Sequence, residues 1–182
     1  MTPEPRSGRP RASSREVLSE AACELFLEKG YDATSVSDIT RRAGVSRSSF
    51  FNYFAAKSDV LWSGFDEQVA ASVALLHDDV EVVTALATIG RGLTPDALAL
   101  AITNADAMDI AAELDRDRAV RQFRLQHHVA ARFAREGMPR LLAEVRAGAL
   151  AAAVLAAVWS WADRTATGRP LDQVLAEALA LV

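Results

Sequence analysis

One cysteine, six prolines and nine glycines in 182 residues exclude several classes of protein at once. Cys23 has no partner in the chain, so an internal disulfide and a secreted disulfide scaffold are excluded, and a reducing cytoplasm is the expected home. The opening MTPEPRSGRP carries charge and proline but no apolar stretch, which argues against a signal peptide. The longest uncharged apolar run, Ala147 to Ala162, is 16 residues and is interrupted by Ser160. A bilayer requires about 20, so no membrane partner is expected. The three histidines, His77, His127 and His128, have no metal-ligand spacing, since the adjacent pair diverges on a helix and no second cysteine exists. Phosphate-binding glycine loops, a nucleophile elbow and His-Glu-x-x-His are also missing. No catalytic residue, metal or cofactor is therefore expected, and the protein does not read as an enzyme. Glu113, Asp115 and Asp117, set among Arg116, Arg118 and Arg121, read as a solvated charged face. Cys23, beside a buried stripe, reads as an inert thiol.

A chain of this length that is 51% hydrophobic is globular, either one compact unit or a small domain fused to a moderate one. The net charge of −4 conceals opposed halves. Residues 1–60 hold 9 Lys+Arg against 8 Asp+Glu, and the remainder 11 against 16. A mildly basic head on an acidic body is the pattern of a DNA reader joined to a domain of another kind. No window alternates as a strand does, whereas helical spacing recurs from Val17 onward, so the fold class is all-α with about nine helices.

The first helix opens at Ser13, with Glu16 completing a capping box, buries Val17, Leu18, Ala21, Ala22, Leu25 and Phe26, and ends at Gly30. A second opening follows at Ser35, with Asp38 three residues on and Val36, Ile39 and Ala43 as the apolar stripe. Gly44-Val45-Ser46 stops that helix and caps the next, which reaches Phe54. Two short helices around a glycine turn make a helix-turn-helix, and helices this short need the first helix to hold them. A linking helix runs from Asp59 toward Leu76. Weaker patterns follow at 81–90, at 95–103 with Thr94 as cap and Pro95 first, and at 105–114. Stronger ones follow at 118–135, at Arg140 to Ala166 and at Leu171 to Leu181.

The ordered set Phe26-Leu27-Glu28-Lys29-Gly30-Tyr31, Thr34, Ile39, Ala43-Gly44-Val45-Ser46 and Tyr53-Phe54, with Lys57 three residues later, resembles the TetR family of bacterial transcriptional regulators. It covers about the first 60 residues. The residue types agree. Arg47, Ser48, Ser49, Phe51 and Asn52 are of the kinds that read base edges. The resemblance implies that their helix enters the major groove while Tyr53, Lys57, Thr34 and Ser35 meet phosphates. Phe51 and Tyr53 have a competing reading as core aromatics. Ala56 stands where the family usually places a Ser, Thr or Asn cap, which weakens the start of the linking helix. In the tail, Arg9 and Arg11 flank Pro10 in a Gly-Arg-Pro core similar to an AT-hook for a narrow minor groove, against the plainer reading of a solubilising arm.

The resemblance implies three parts: a basic tail at 1–12, a helix-turn-helix DNA-binding domain at 13–57, and a helical effector-binding and dimerisation bundle at 58–182. The dimer is expected through Arg140 to Ala166 and Leu171 to Leu181, because a module this small needs two copies on a palindromic operator. Trp62, Phe65, Met108, Phe123, His127 and Trp159 are the candidate walls for a hydrophobic or amphiphilic effector. The expected protein is a ligand-responsive cytoplasmic repressor. The alternatives are a regulator or activator without an effector and a helical bundle with no DNA role.

Overall fold

The computed structural model describes residues 14–91, 93, 96–163 and 168–182. Ser13, Arg9, Arg11, Thr94, Pro95 and Ala166, all named above, lie outside the described residues. Among those described, nine α-helices and one 3₁₀ turn form the structure, without a strand.

Helix α1 (Ser14–Lys29) buries Leu18, Ala22, Leu25 and Phe26 along one stripe. Helix α2 (Val36–Ala43) starts on the expected capping box: the Ser35 hydroxyl accepts the Asp38 N–H at 3.1 Å, and the Asp38 carboxylate accepts the Ser35 N–H at 3.0 Å. Gly44 closes it at φ 69°, a left-handed turn that a residue without Cβ adopts freely. The chain then enters α3 (Arg47–Tyr53), which sends Phe50 inward, fully buried, with Phe54 beyond it at a ring distance of 5.3 Å.

Helix α4 (Asp59–His77) leads from this trio into the body, tied to α1 where the Ser19 hydroxyl donates to the Val60 carbonyl at 2.9 Å. The missing cap at Ala56 is offset from inside the helix, because the Asp59 carboxylate accepts the Ala56 N–H at 2.8 Å. Helix α5 (Val82–Ala87) passes into the 3₁₀ turn Thr88–Gly90, so the segment expected as one helix tightens in its last turn. Helix α6 (Ala97–Thr103) takes Asp96 as its cap, with Oδ1 accepting the Leu98 and Ala99 amides.

No separate helix forms over 105–114, whose last four residues are the first turn of the next helix. Residues 104–109 turn instead, and Asp109 takes the left-handed region at φ 51°, which a short polar side chain tolerates. This turn drives Met108 fully into the core. Helix α7 (Ala111–Arg135) then runs unbroken for 25 residues through the charged stretch expected to interrupt it. Glu113 with Arg116 and Asp117 with Arg121 pair along the helix and support it. Helix α8 (Arg140–Asp163) is apolar enough by length and composition to cross a membrane, yet it is the central helix of the body, packed by α6, α7 and α9 (Leu171–Leu179).

Arg121 corrects the reading of a solvated face. It is 8% exposed. Its guanidinium donates to both Asp66 carboxylate oxygens at 2.8 Å and to Asp59 at 3.2 Å, with Asp117 at 3.6 Å, and lies 4.2 Å over the Trp62 ring. Burial opposes its charge, but the three aspartates more than offset this and raise its pKa above the ordinary arginine value. Two of these aspartates come from α4, so the cluster rivets the linking helix to α7. Replacing Arg121 with Met keeps the apolar stem and leaves the carboxylates without their cation. Because Asp66 is partly exposed, the expected loss is about 2 to 3 kcal/mol of unfolding free energy, read from a urea midpoint. A change below about 0.5 kcal/mol would mean that water had solvated the cluster.

Candidate nucleic-acid interface

Six of the seven residues of α3 lie on its outer side. Arg47, Ser48, Asn52, Phe51 and Tyr53 are exposed, and Ser49 is half-buried. Phe51 is 50% and Tyr53 43% exposed, so neither is a core aromatic. Phe50 and Phe54 hold the inward face, which leaves the polar face of the helix free to enter a groove. Ser46 organises the start: its oxygen accepts the Ser49 N–H at 3.1 Å and lies 2.8 Å from both the Ser48 and Ser49 hydroxyls. The Arg47 guanidinium lies 5.7 Å from the centre of the Phe51 ring, one turn on. Together they place a cation, an aromatic face, hydroxyls and a carboxamide on one convex strip, matching the chemistry of base edges.

The residues expected at phosphates divide. Ser35 stays exposed at the start of α2 within its capping box. Thr34 does not reach the surface: it is 2% exposed, and its hydroxyl donates to the Gly30 carbonyl at 2.8 Å, with the Leu25 carbonyl 3.4 Å away. Lys57 also points inward. Its ammonium donates to the Tyr31 carbonyl at 2.6 Å and the Thr34 carbonyl at 2.8 Å, and lies 3.7 Å from the centre of the Tyr31 ring. Burial pulls its pKa down, while Asp32 and Glu113 act the other way. In this structure Thr34 and Lys57 are struts that set the α1–α2 loop and so aim the amino end of α2. Sequence spacing marks both as belonging to the domain, but it cannot tell a side chain that reaches out from one that clamps a loop.

Several cations near this surface are committed locally. Arg42 pairs with Glu24 and Glu28, and Lys29 and Arg41 both bind Asp38. The Ser35 hydroxyl and amide, with these two cations, hold the Asp38 carboxyl well below the usual carboxylate range. Arg15, which sequence reading passed over, pairs with Glu67 of α4 and lies 5.7 Å from the Tyr53 ring centre, so the last residue of α3 is supported from α1. No local pattern links residues 15 and 53.

The six candidate effector residues do not come together around a space. The Trp62 ring meets Phe65 edge to face and Trp159 at a tilt, with ring centres 5.7 and 5.8 Å away, and Trp62, Phe65 and Met108 are fully buried or nearly so. His127 and Phe123 face outward, Phe123 at 69% exposure. A cleft of about 1100 Å³ opens elsewhere, between α1, α4 and α6, and includes none of the six.

The outer apolar surface of the body also differs from expectation. Helix α9 turns Leu171, Val174, Leu175 and Leu179 inward and shows Asp172, Gln173 and Glu177 to solvent. The exposed large apolar residues of the two long helices are instead Val120 and Phe123 on α7 and Leu141, Leu142 and Val145 on α8. Gln126, one turn from Phe123, donates to Glu144, the neighbour of Val145, so these side chains flank one seam.

Residues 18–61 match the family described as bacterial regulatory proteins, tetR family. The chain is 37% identical over 78 residues to a relative from Mycobacterium tuberculosis named as the transcriptional regulator MftR, covering 43% of this chain and 39% of that one. The match thus spans about two fifths of that relative's length. Over nearly the whole chain the fold is similar to the crystal structure of Thermus thermophilus FadR, a TetR family transcriptional repressor, in complex with lauroyl-CoA (27% identity, 92% of both chains covered, TM-score 0.53). It is also similar to NalD, a repressor of an efflux pump in Pseudomonas aeruginosa (23% identity, 92% and 94% covered, TM-score 0.56), a likeness that concerns the fold alone.

Lys57→Met tests the strut. It keeps the stem and removes two charge-assisted bonds, for an expected loss of about 1 to 3 kcal/mol in unfolding free energy. The dependence of DNA affinity on salt should keep its wild-type slope. A slope lowered by about 0.9 would instead place the ammonium on a phosphate.

Proposed function

We propose that this chain, a regulator of the bacterial tetR family by its N-terminal domain, is a homodimeric repressor that binds a palindromic operator and is released by a small amphiphilic molecule. The observation that carries the reading is the outward strip of α3. Its apolar residues Phe50 and Phe54 are fixed inside while Arg47, Ser48, Phe51, Asn52 and Tyr53 stand out together. Any surface helix turns its apolar side inward, but it has no need of two aromatic rings, Phe51 and Tyr53, on the solvent side. Lauroyl-CoA in the Thermus thermophilus repressor supports a small-molecule effector, and the acidic body supports a second role beside DNA binding. Such a regulator works in the cytoplasm, where its operator is.

Two recognition helices must meet successive major grooves about 34 Å apart, so the dimer sets the readable spacing. The exposed apolar seam supports pairing through α7 and α8, with α9 closing the protomer's own core rather than crossing to the partner. An effector acts by preferring a state in which the two α3 helices no longer match that spacing, and DNA and effector then oppose each other by the same factor.

The carrying test is binding of the purified chain to DNA flanking its own gene at two salt concentrations, beside Arg47→Ala, Asn52→Ala, Tyr53→Ala combined. Wild type should bind selectively and with salt sensitivity. The still-folded variant should bind at least about 100-fold more weakly, since each base contact contributes about 1 to 3 kcal/mol. Equal binding by both would remove the regulator reading. For the dimer, Phe123→Asp with Val145→Asp should sediment as a folded monomer and lose operator binding. A dimer that survives both charges would return the interface to α8 and α9.

A further inference from the structure

Between Ser14 and Lys57 the chain carries six cations and six carboxylates, so the helix-turn-helix domain has no net charge with which to draw in a polyanion. Most of these cations are also engaged within the protein. Arg15 meets Glu67, Arg42 meets Glu24 and Glu28, and Lys57 meets two carbonyls. Lys29 and Arg41 are left, and both are held by one carboxylate, Asp38.

Asp38 gathers them from two elements. Lys29, the last residue of α1, reaches it from nine residues upstream and places Nζ 3.0 Å from Oδ2, while the Arg41 guanidinium, in the last turn of α2, pairs with Oδ1. The Ser35 hydroxyl donates to Oδ2 at 2.7 Å and the Ser35 amide at 3.0 Å. Two cations, a hydroxyl and a backbone amide around a pair of oxygens are the donors that proteins present to a DNA phosphate. The capping box accounts for the bonds from Ser35, but it needs no cation. Both cationic side chains are exposed and the carboxylate is half-buried. The position also fits: α2 is the first helix of the pair, the one that crosses the DNA backbone when the second enters the groove.

We propose that Asp38 is a built-in competitor for DNA phosphate, whose carboxylate holds Lys29 and Arg41 off the duplex and keeps sequence-independent binding weak. The inference rests on the regulator reading and leaves the outward strip of α3 as the source of selectivity. A phosphate contact strengthens binding to every sequence alike, and a genome presents a great excess of sites other than the operator. Cations withheld from the backbone therefore shorten the time that the chain is retained at wrong sites. Ser35 and the two cations hold the Asp38 carboxyl well below the usual carboxylate range, so the competitor is permanent rather than a pH switch.

The test uses the full chain, operator DNA and a mixed-sequence duplex of the same length, with affinity read over a series of salt concentrations. Asp38→Asn removes the charge and keeps the shape. Asp38→Gln keeps the capping box with a neutral group, so a disturbance of α2 in one variant is checked by the other. Both should steepen the salt dependence by about 0.9 for each freed cation, or about 1.8 for each domain on the DNA. Both should also tighten operator and mixed-sequence binding by one common factor, about tenfold or more at low salt. Adding Lys29→Met and Arg41→Met should return slope and affinity to wild type. An unmoved slope in the folded variants, a gain confined to the operator, or a gain that survives the loss of both cations overturns the proposal. The regulator reading fails separately: if the wild type selects no operator while the Asp38 variants still bind the mixed duplex with a steeper slope, that reading falls and the competitor stands. If neither wild type nor variant binds any duplex, both fall.

Discussion

A seven-residue helix has no stability of its own in water, and the burial of Phe50 between α3, α1 and α2 is the contact on which the outward strip of α3 depends. Every outward residue of α3 takes its direction from that anchor. The anchor fixes which side of the helix faces the core, Ser46 fixes the first turn, and Arg15 supports the last residue from α1. Helix α1 therefore serves two neighbours. One face carries α3 and the other forms a wall of the cleft toward the body, so a displacement of α1 is felt on both sides.

The first three helices were legible in the sequence because their signals are local. A capping box spans four residues, a glycine turn one, and an apolar stripe repeats within each helix. The same locality explains what was missed. Lys57 stands where a phosphate contact is expected, but its partners are carbonyls 26 and 23 residues earlier. Thr34 is buried by the end of α1, and nothing in its own neighbourhood shows that.

In the body the limits of local reading are wider. Helical spacing over 105–114 predicts a helix where the chain turns, and the charged run from Glu113 to Arg121 reads as a solvated face although α7 continues through it and buries Arg121. The second reading treats charge as a solvent signal. Arg121 is buried because its guanidinium is met by three aspartates, two of them more than 50 residues away, which themselves keep some contact with solvent. The cleft was invisible for a related reason: its walls come from three separated segments. Large apolar residues, the natural candidates for an effector pocket, are the ones that packing consumes first, as Trp62, Phe65 and Met108 show.

The contacts of Trp62 with Arg121 and Trp159 give the linking helix an optical character. Two of the three indoles in the chain share one contact at the joint between α4, α7 and α8, and the third, Trp161, is buried two residues from Trp159. All the near-ultraviolet emission of the protein that comes from tryptophan thus originates around this joint, with none from the outward strip of α3. The unlabelled molecule carries its own gauge of the joint's packing, silent to events that leave the joint at rest.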